Sequence, residues 1–269
     1  MDLMRALEKT YPLKLLGEEE PPASNRKAGR RTRGHGKTRF VLSRLIKRNT
    51  PRTGSVCVPS QVAEEFRTLR DRLLLSHAGH ELKTIAVCKA NGGEGSSTVA
   101  CHLALAFAND PRMRVVLVDS DLHHPSLHAM LRVSQENGLY EILAAGAATT
   151  KERIKKTMLH NLYVITSGDP LSLPSIIFDP RIFTEVLENL KTEFSIVLID
   201  TPPTLADDCT ALAMAAQCDG VILVVQAEQT RWKVAQEAQA QLRRAGAKFL
   251  GVVLNKRIYP IPEFLYKRL

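Results

Sequence analysis

Three stretches of this chain hold residues whose types and spacing suit chemistry. The first is Lys89-Ala-Asn-Gly-Gly-Glu-Gly-Ser-Ser-Thr98, a glycine-rich run between a short apolar stretch and a helical pattern. Gly92, Gly93 and Gly95 let successive backbone N–H groups turn toward one point. The positive dipole end of a helix starting near Ser97 adds to them, so the loop reads as a phosphate site with Glu94, Ser96, Ser97 and Thr98 contributing. The second stretch, Val115-Val-Leu-Val-Asp119-Ser-Asp121, puts two acids just beyond an apolar strand. Side chains at i and i+2 point the same way in extended chain, so both acids can face one metal. The third, Ile196-Val-Leu-Ile-Asp200-Thr-Pro-Pro, ends another apolar strand in an acid. Mg²⁺ is held by a few carboxylates together with waters and phosphate oxygens. Each stretch alone has a plainer reading, a tight turn without ligand or an acid capping the next helix. Together, in this order, they point to a Mg-nucleotide site.

The phosphate loop departs from the usual P-loop ending, Gly-Lys-Ser/Thr, because Ser96 occupies the lysine position. The missing charge-assisted contact to the β- and γ-phosphates is worth roughly 1.5–3 kcal/mol, so both affinity and transfer rate should suffer. Ser97 keeps a hydroxyl for the metal. Gly36-Lys37-Thr38 resembles the missing ending but has no strand before it. Lys89 lies close to the loop without matching the usual lysine position, and whether it substitutes is left open by the sequence.

These residues need a scaffold. Apolar, β-rich runs at Thr84–Cys88, Val115–Asp119, Leu162–Thr166, Ile196–Asp200, Gly220–Val225 and Phe249–Leu254 alternate with helical patterns. The helices fall at Val62–Leu75, Ser97–Ala108, Arg181–Leu190, Asp208–Gln217 and Thr230–Ala245. That alternation predicts an α/β fold, a parallel sheet with helices on both faces, whose ligands bind where the strands' carboxyl ends converge.

The 269 residues are 44% hydrophobic, enough for one domain of roughly 200 residues and a tail. We place the boundary between a basic tail over 1–58 and the P-loop domain over 59–269. The first 55 residues hold 14 of the 37 Lys and Arg and 5 of the 28 Asp and Glu, a net of +9 that leaves the rest of the chain neutral. A neutral domain argues against nucleic acid as the partner. Glu18–Arg39 is too poor in large apolar residues to offset its ordering entropy and reads as disordered. Phe40–Arg48 reads as a short basic amphipathic helix able to lie on an anionic membrane surface, or as a plain linker. No apolar run approaches the roughly 18–20 residues of a membrane span, and the first residues lack the apolar core of a secretory signal. The five cysteines show no C-x-x-C pair; Cys88 and Cys101 read as buried hydrophobes in a reduced, cytosolic setting.

Glu94-Gly95-x-Ser97-Thr98, Asp119-Ser-Asp121-Leu-His-His-Pro125-Ser126-Leu127-His128, Gly138-Leu139 and Asp200-Thr-Pro-Pro203 resemble the bacterial tyrosine kinases, or BY-kinases. These are autokinases of capsule and exopolysaccharide systems and relatives of the MinD/ParA ATPases. The resemblance runs from about Ser60 to Leu269. It implies a cytoplasmic ATP/ADP- and Mg²⁺-binding protein held at the inner membrane through a polysaccharide copolymerase partner. Ser97, Asp119 and Asp200 would hold the metal, the last through a water, and Asp121 would be the base for a tyrosine hydroxyl. Gly92, Gly93, Gly95 and Thr98 would cradle phosphates. Glu64-x-x-Arg67-x-x-Arg70 is similar to the family's self-association motif; by spacing alone it is one mixed-charge helix edge.

Three departures all point to weakened or lost phosphotransfer: Ser96 in place of lysine, His123 where the family has arginine, and a tyrosine tail reduced to Tyr259 and Tyr266 as acceptors. A non-catalytic pseudokinase scaffold is therefore the first alternative. A MinD/ParA-type positioning ATPase is the second, although Asn91 stands where those proteins have a further lysine. His123 and His124 lack a third spaced partner and do not read as a metal site.

Overall fold

The protein is described by a computed structural model covering residues 41–43, 60–76, 81–169, 178–206 and 209–257. The expected disordered stretch over Glu18–Arg39, most of the 1–58 tail, Cys57, and Tyr259 and Tyr266 lie outside the described residues.

In chain order the elements begin with β1 (Val41–Ser43), α1 (Ser60–Ser76), β2 (Thr84–Lys89), α2 (Ser96–Ala108) and β3 (Val115–Asp119). Two short helices follow, α3 (Leu127–Leu131) and α4 (Leu139–Ala145), then β4 (Lys155–Lys156) and β5 (Leu162–Ile165). The C-terminal half comprises α5 (Pro180–Glu193), β6 (Ile196–Pro203), α6 (Thr210–Ala216), β7 (Gly220–Gln226), α7 (Trp232–Arg244) and β8 (Phe249–Arg257). The strands form one sheet in the order β1-β8-β7-β2-β6-β3-β5-β4, parallel except for β4 against β5.

Strand periodicity explains how one sheet serves two cores. Ile85 and Val87 of β2, Leu117 of β3 and Leu198 of β6 face one core with α1 and α2. Ala86 and Cys88, Val116 and Val118, and Val197 and Ile199 face the other, with α4 to α7. A sheet buried on both faces needs unbroken apolar strands, which is why these runs stood out in the sequence. Helices cover it with apolar stripes: α5 buries Phe183, Val186, Leu187 and Leu190, and starts where Asp179 accepts the Arg181 N–H just ahead of Pro180 at the first helical position. The α1 stripe of Val62, Phe66, Leu69 and Leu73 is buried as its spacing predicts, and Phe66 stacks on His102 of α2 at 5.1 Å between ring centroids. Cys88 and Cys101 are buried thiols, and burial pushes each up to about 12.

The expected helix over Phe40–Arg48 is corrected in part. Val41–Ser43 pairs as a parallel strand with β8, Val41 opposite Leu254. The edge of β8 offers a row of backbone donors and acceptors, and pairing with it satisfies the segment's own backbone groups. Phe40 and Arg44–Arg48 lie outside the described residues.

For the site, what matters is that β2, β6 and β3 are neighbours running in the same direction. The phosphate loop, Asp200 and the Asp119–Asp121 pair therefore emerge at one edge of the sheet.

Candidate nucleotide and metal site

The phosphate loop connects β2 to α2. Gly93 and Gly95 have φ of +84° and +88°, a backbone region that side chains disfavour. A Cβ at Gly95 would also lie 2.4 Å from Asn255 Nδ2, so glycine there is required twice over. Gly92 has no such φ and faces open space, so its freedom of approach, not its conformation, suits it to the loop.

Glu94 has a role the sequence did not disclose. It is buried, and its Oε2 accepts the Ala90 and Asn91 N–H groups at 2.7 and 3.2 Å. Its Oε1 accepts the Thr230 hydroxyl at 2.6 Å, while Asn255 Nδ2 donates to its carbonyl at 2.9 Å. This carboxylate braces the loop from behind. From the outer side, Lys256 Nζ donates to the Gly93 carbonyl at 2.5 Å and to Gln226 Oε1 at 3.1 Å.

The three acids converge. Asp119 and Asp200 are opposite one another across β3 and β6. Asp119 Oδ2 accepts the N–H groups of Ser126 and Leu127, at 3.1 and 3.0 Å, and so fixes the start of α3. Asp200 Oδ1 accepts the Ser96 hydroxyl at 3.0 Å, and the neighbouring Ser97 favours the charged form of the same carboxylate. Asp119 Oδ1 and Asp200 Oδ2 are buried with no protein partner. A buried carboxylate oxygen without a donor is costly, and a divalent cation is the ligand chemistry that satisfies two of them beside a serine hydroxyl. Among the described residues no three His, Cys, Asp or Glu side chains form an all-protein metal cage.

Electrostatics agree with an ion-binding role. Burial pushes Asp119 up to about 6, with the charge of Asp121 adding to the effect, against the Leu127 and Ser126 N–H groups. Burial pushes Asp200 up to about 7, assisted by Asp119 and opposed by Lys89, Ser97 and Ser96. A carboxylate raised in the folded state binds more protons folded than unfolded, so its contribution to stability is present at low pH and lost as pH rises through the folded value. The expected result is that the metal-free protein loses thermal stability between about pH 5 and pH 8, and that added Mg²⁺ restores more of it at pH 8 than at pH 5. Thermal melts across that range, with and without Mg²⁺, check it; an Mg²⁺ effect that shrinks with pH would count against these two acids as ligands.

Asp121 is 2% exposed and does not stand free. Its Oδ2 lies 2.7 Å from Lys89 Nζ, and its Oδ1 accepts the His124 N–H at 3.0 Å. Nothing local in the sequence relates positions 89 and 121, so only the fold discloses this pair.

The predicted self-association residues divide. Glu64 and Arg67 are exposed and pair with each other at 3.2 Å. Arg70 turns inward, donating to the Ala106 carbonyl of α2 at 2.9 Å and to Asp71. It ties α1 to α2, so the three side chains do not form the single exposed edge that their spacing suggests. No helix among the described residues is long and apolar enough to cross a membrane.

The sequence and the fold are similar to those of known proteins. A family profile described as an AAA domain matches residues 82–245. The chain is 31% identical, over 72% of its length and 83% of the relative's, to the tyrosine-protein kinase CpsD of Streptococcus pneumoniae serotype 4. Among solved structures, the kinase domain of Escherichia coli tyrosine kinase ETK superposes with a TM-score of 0.67 at 24% identity, over 75% of this chain and 78% of that one, a likeness of fold. The cell division ATPase MinD of Pyrococcus furiosus gives a TM-score of 0.54 at 27% identity, over 66% and 76%. The chain thus belongs to the MinD-like P-loop ATPases and, within them, to the bacterial tyrosine-kinase family.

Proposed function

We propose that this protein is a BY-kinase-like component of capsule or exopolysaccharide assembly that binds Mg-ADP and Mg-ATP at the β2–α2 loop. The observation that supports it most directly is the pair of buried, unpartnered oxygens on Asp119 and Asp200 beside Ser96 and Ser97. Ser97, Asp119 and Asp200 hold Mg²⁺, which when bound neutralises charge on the phosphate oxygens. Gly92, Gly93, Gly95 and Thr98 approach the phosphates, and Glu94 keeps the loop in shape. Asp121 is the acceptor for the proton of an attacking tyrosine hydroxyl, with Tyr259 and Tyr266 as candidate acceptors of phosphate. The protein works at the inner membrane through a polysaccharide copolymerase. It self-associates through the exposed Glu64–Arg67 edge, and its basic tail adds attraction to anionic lipid.

Two observations favour the second reading, a pseudokinase scaffold. Ser96 removes the usual cation and Lys89 occupies the acid that would take the proton. Calorimetric titration separates the two readings. Mg-ADP is expected to bind with a dissociation constant on the order of micromolar, and phosphate transfer from ATP to tyrosine then becomes the assay of interest. Absence of binding in the wild type, with binding created by Ser96→Lys, would establish the scaffold instead.

A further inference from the structure

The loss of lysine at position 96 leaves open which cation, if any, faces the phosphates. We propose that Lys89 is that cation, supplied from the end of β2 in place of the first turn of α2. This rests on the nucleotide-binding reading above.

Lys89 is 7% exposed, and its ammonium meets Asp121 Oδ2 at 2.7 Å. Asp121 follows the strand whose Asp119 lies opposite Asp200, and Asp200 in turn accepts the Ser96 hydroxyl. The ammonium therefore belongs to the same cluster as the residue at the lysine position. The register of β2 against β6 shifts between Val87 and Lys89, and such irregularities re-aim side chains at strand ends. The backbone there is pinned, since Thr204 donates to the Lys89 carbonyl through its N–H at 2.8 Å and its hydroxyl at 3.1 Å.

Stability does not account for this pair. Apolar residues of similar size commonly do as well as a buried ion pair, or better, so a buried lysine among the acids of a phosphate site asks for a functional reason. Without ligand, Asp121 neutralises Lys89. With Mg²⁺ on Asp119 and Asp200 and phosphates on the loop, the same ammonium can exchange Asp121 for phosphate oxygens, which frees Asp121. Among the described residues Lys256 is a competing cation, but it is exposed and held by two neutral oxygens on the outer side of the loop.

The test is calorimetric titration of Mg-ADP into the wild type and the variants Lys89→Met, Lys89→Met/Asp121→Asn, Lys89→Met/Ser96→Lys and Lys256→Met, with melting curves for each. Both variants lacking a lysine at 89 and 96 should bind about 10- to 100-fold more weakly, the range of one charge-assisted contact, and the loss should exceed that of Lys256→Met, which removes only a contact to the loop backbone. Ser96→Lys should restore binding in the Lys89→Met background. Should Lys89→Met fold poorly, the double variant with Asp121→Asn, which leaves no unpaired buried charge, decides the matter. Wild-type affinity in that variant overturns the proposal while the nucleotide reading stands; a wild type that binds no Mg-ADP overturns both. Loss of binding in Lys256→Met alone would transfer the role to Lys256.

Discussion

Replacing Asp121 by alanine is expected to cost the fold about 3–5 kcal/mol, the largest effect on stability we anticipate, because it strands a buried ammonium. Lys89 and Asp121 are both nearly inaccessible, and the carboxylate also takes the His124 N–H. Truncation therefore removes a charge partner and a backbone acceptor together. The pair Lys89→Met/Asp121→Asn should lose far less, since the amide oxygen keeps an acceptor for His124 and no charge remains. A double-mutant cycle by urea unfolding, with Lys89→Met, Asp121→Asn and their combination as its corners, measures the coupling between the two positions, expected at about 1–3 kcal/mol. If Asp121→Ala costs under about 1 kcal/mol, the Lys89 ammonium has found water or another acid, and the pair is looser than its 2.7 Å separation implies.

The strength of this pair also bears on why parts of the site were legible in the sequence and others were not. The phosphate loop, the strands ending in Asp119 and Asp200, and the two-faced sheet all follow from local signals. Glycines sit where φ is positive at 93 and 95, and apolar runs form where strands are buried on both faces. The features that escaped are set by partners distant in sequence. Glu94 became a brace because Thr230, 136 positions away, offers its hydroxyl. Arg70 turned inward because the last turn of α2 presents the Ala106 carbonyl. Val41–Ser43 became a strand because β8 left an edge to pair with, and the two-residue β4 exists only as an antiparallel appendage of β5. Helical spacing relates residues three or four apart; it carries no information about such encounters.

The opposite trade between stability and function is expected at Asp200. Asp200→Asn should raise the melting temperature of the metal-free protein at pH 8 and abolish its response to Mg²⁺. The carboxylate is wholly buried and pushed up to about 7, so ionising it at pH 8 opposes folding. The sign follows from proton binding: the unfolded acid, with its ordinary low value, is already ionised, whereas the folded one resists. A neutral amide of the same shape removes that penalty, on the order of a few kcal/mol, and its oxygen can still accept from Ser96. The nitrogen then replaces the unpartnered Oδ2, and an N–H group cannot ligate a cation. The loss of thermal stability between about pH 5 and pH 8 should flatten in the variant, and Mg²⁺ should shift neither its melting temperature nor its affinity for ADP. Were the variant less stable than the wild type at pH 8, Asp200 would be held by contacts that prefer its charged form. Its place would then be structural, with the metal left to Asp119 and Ser97.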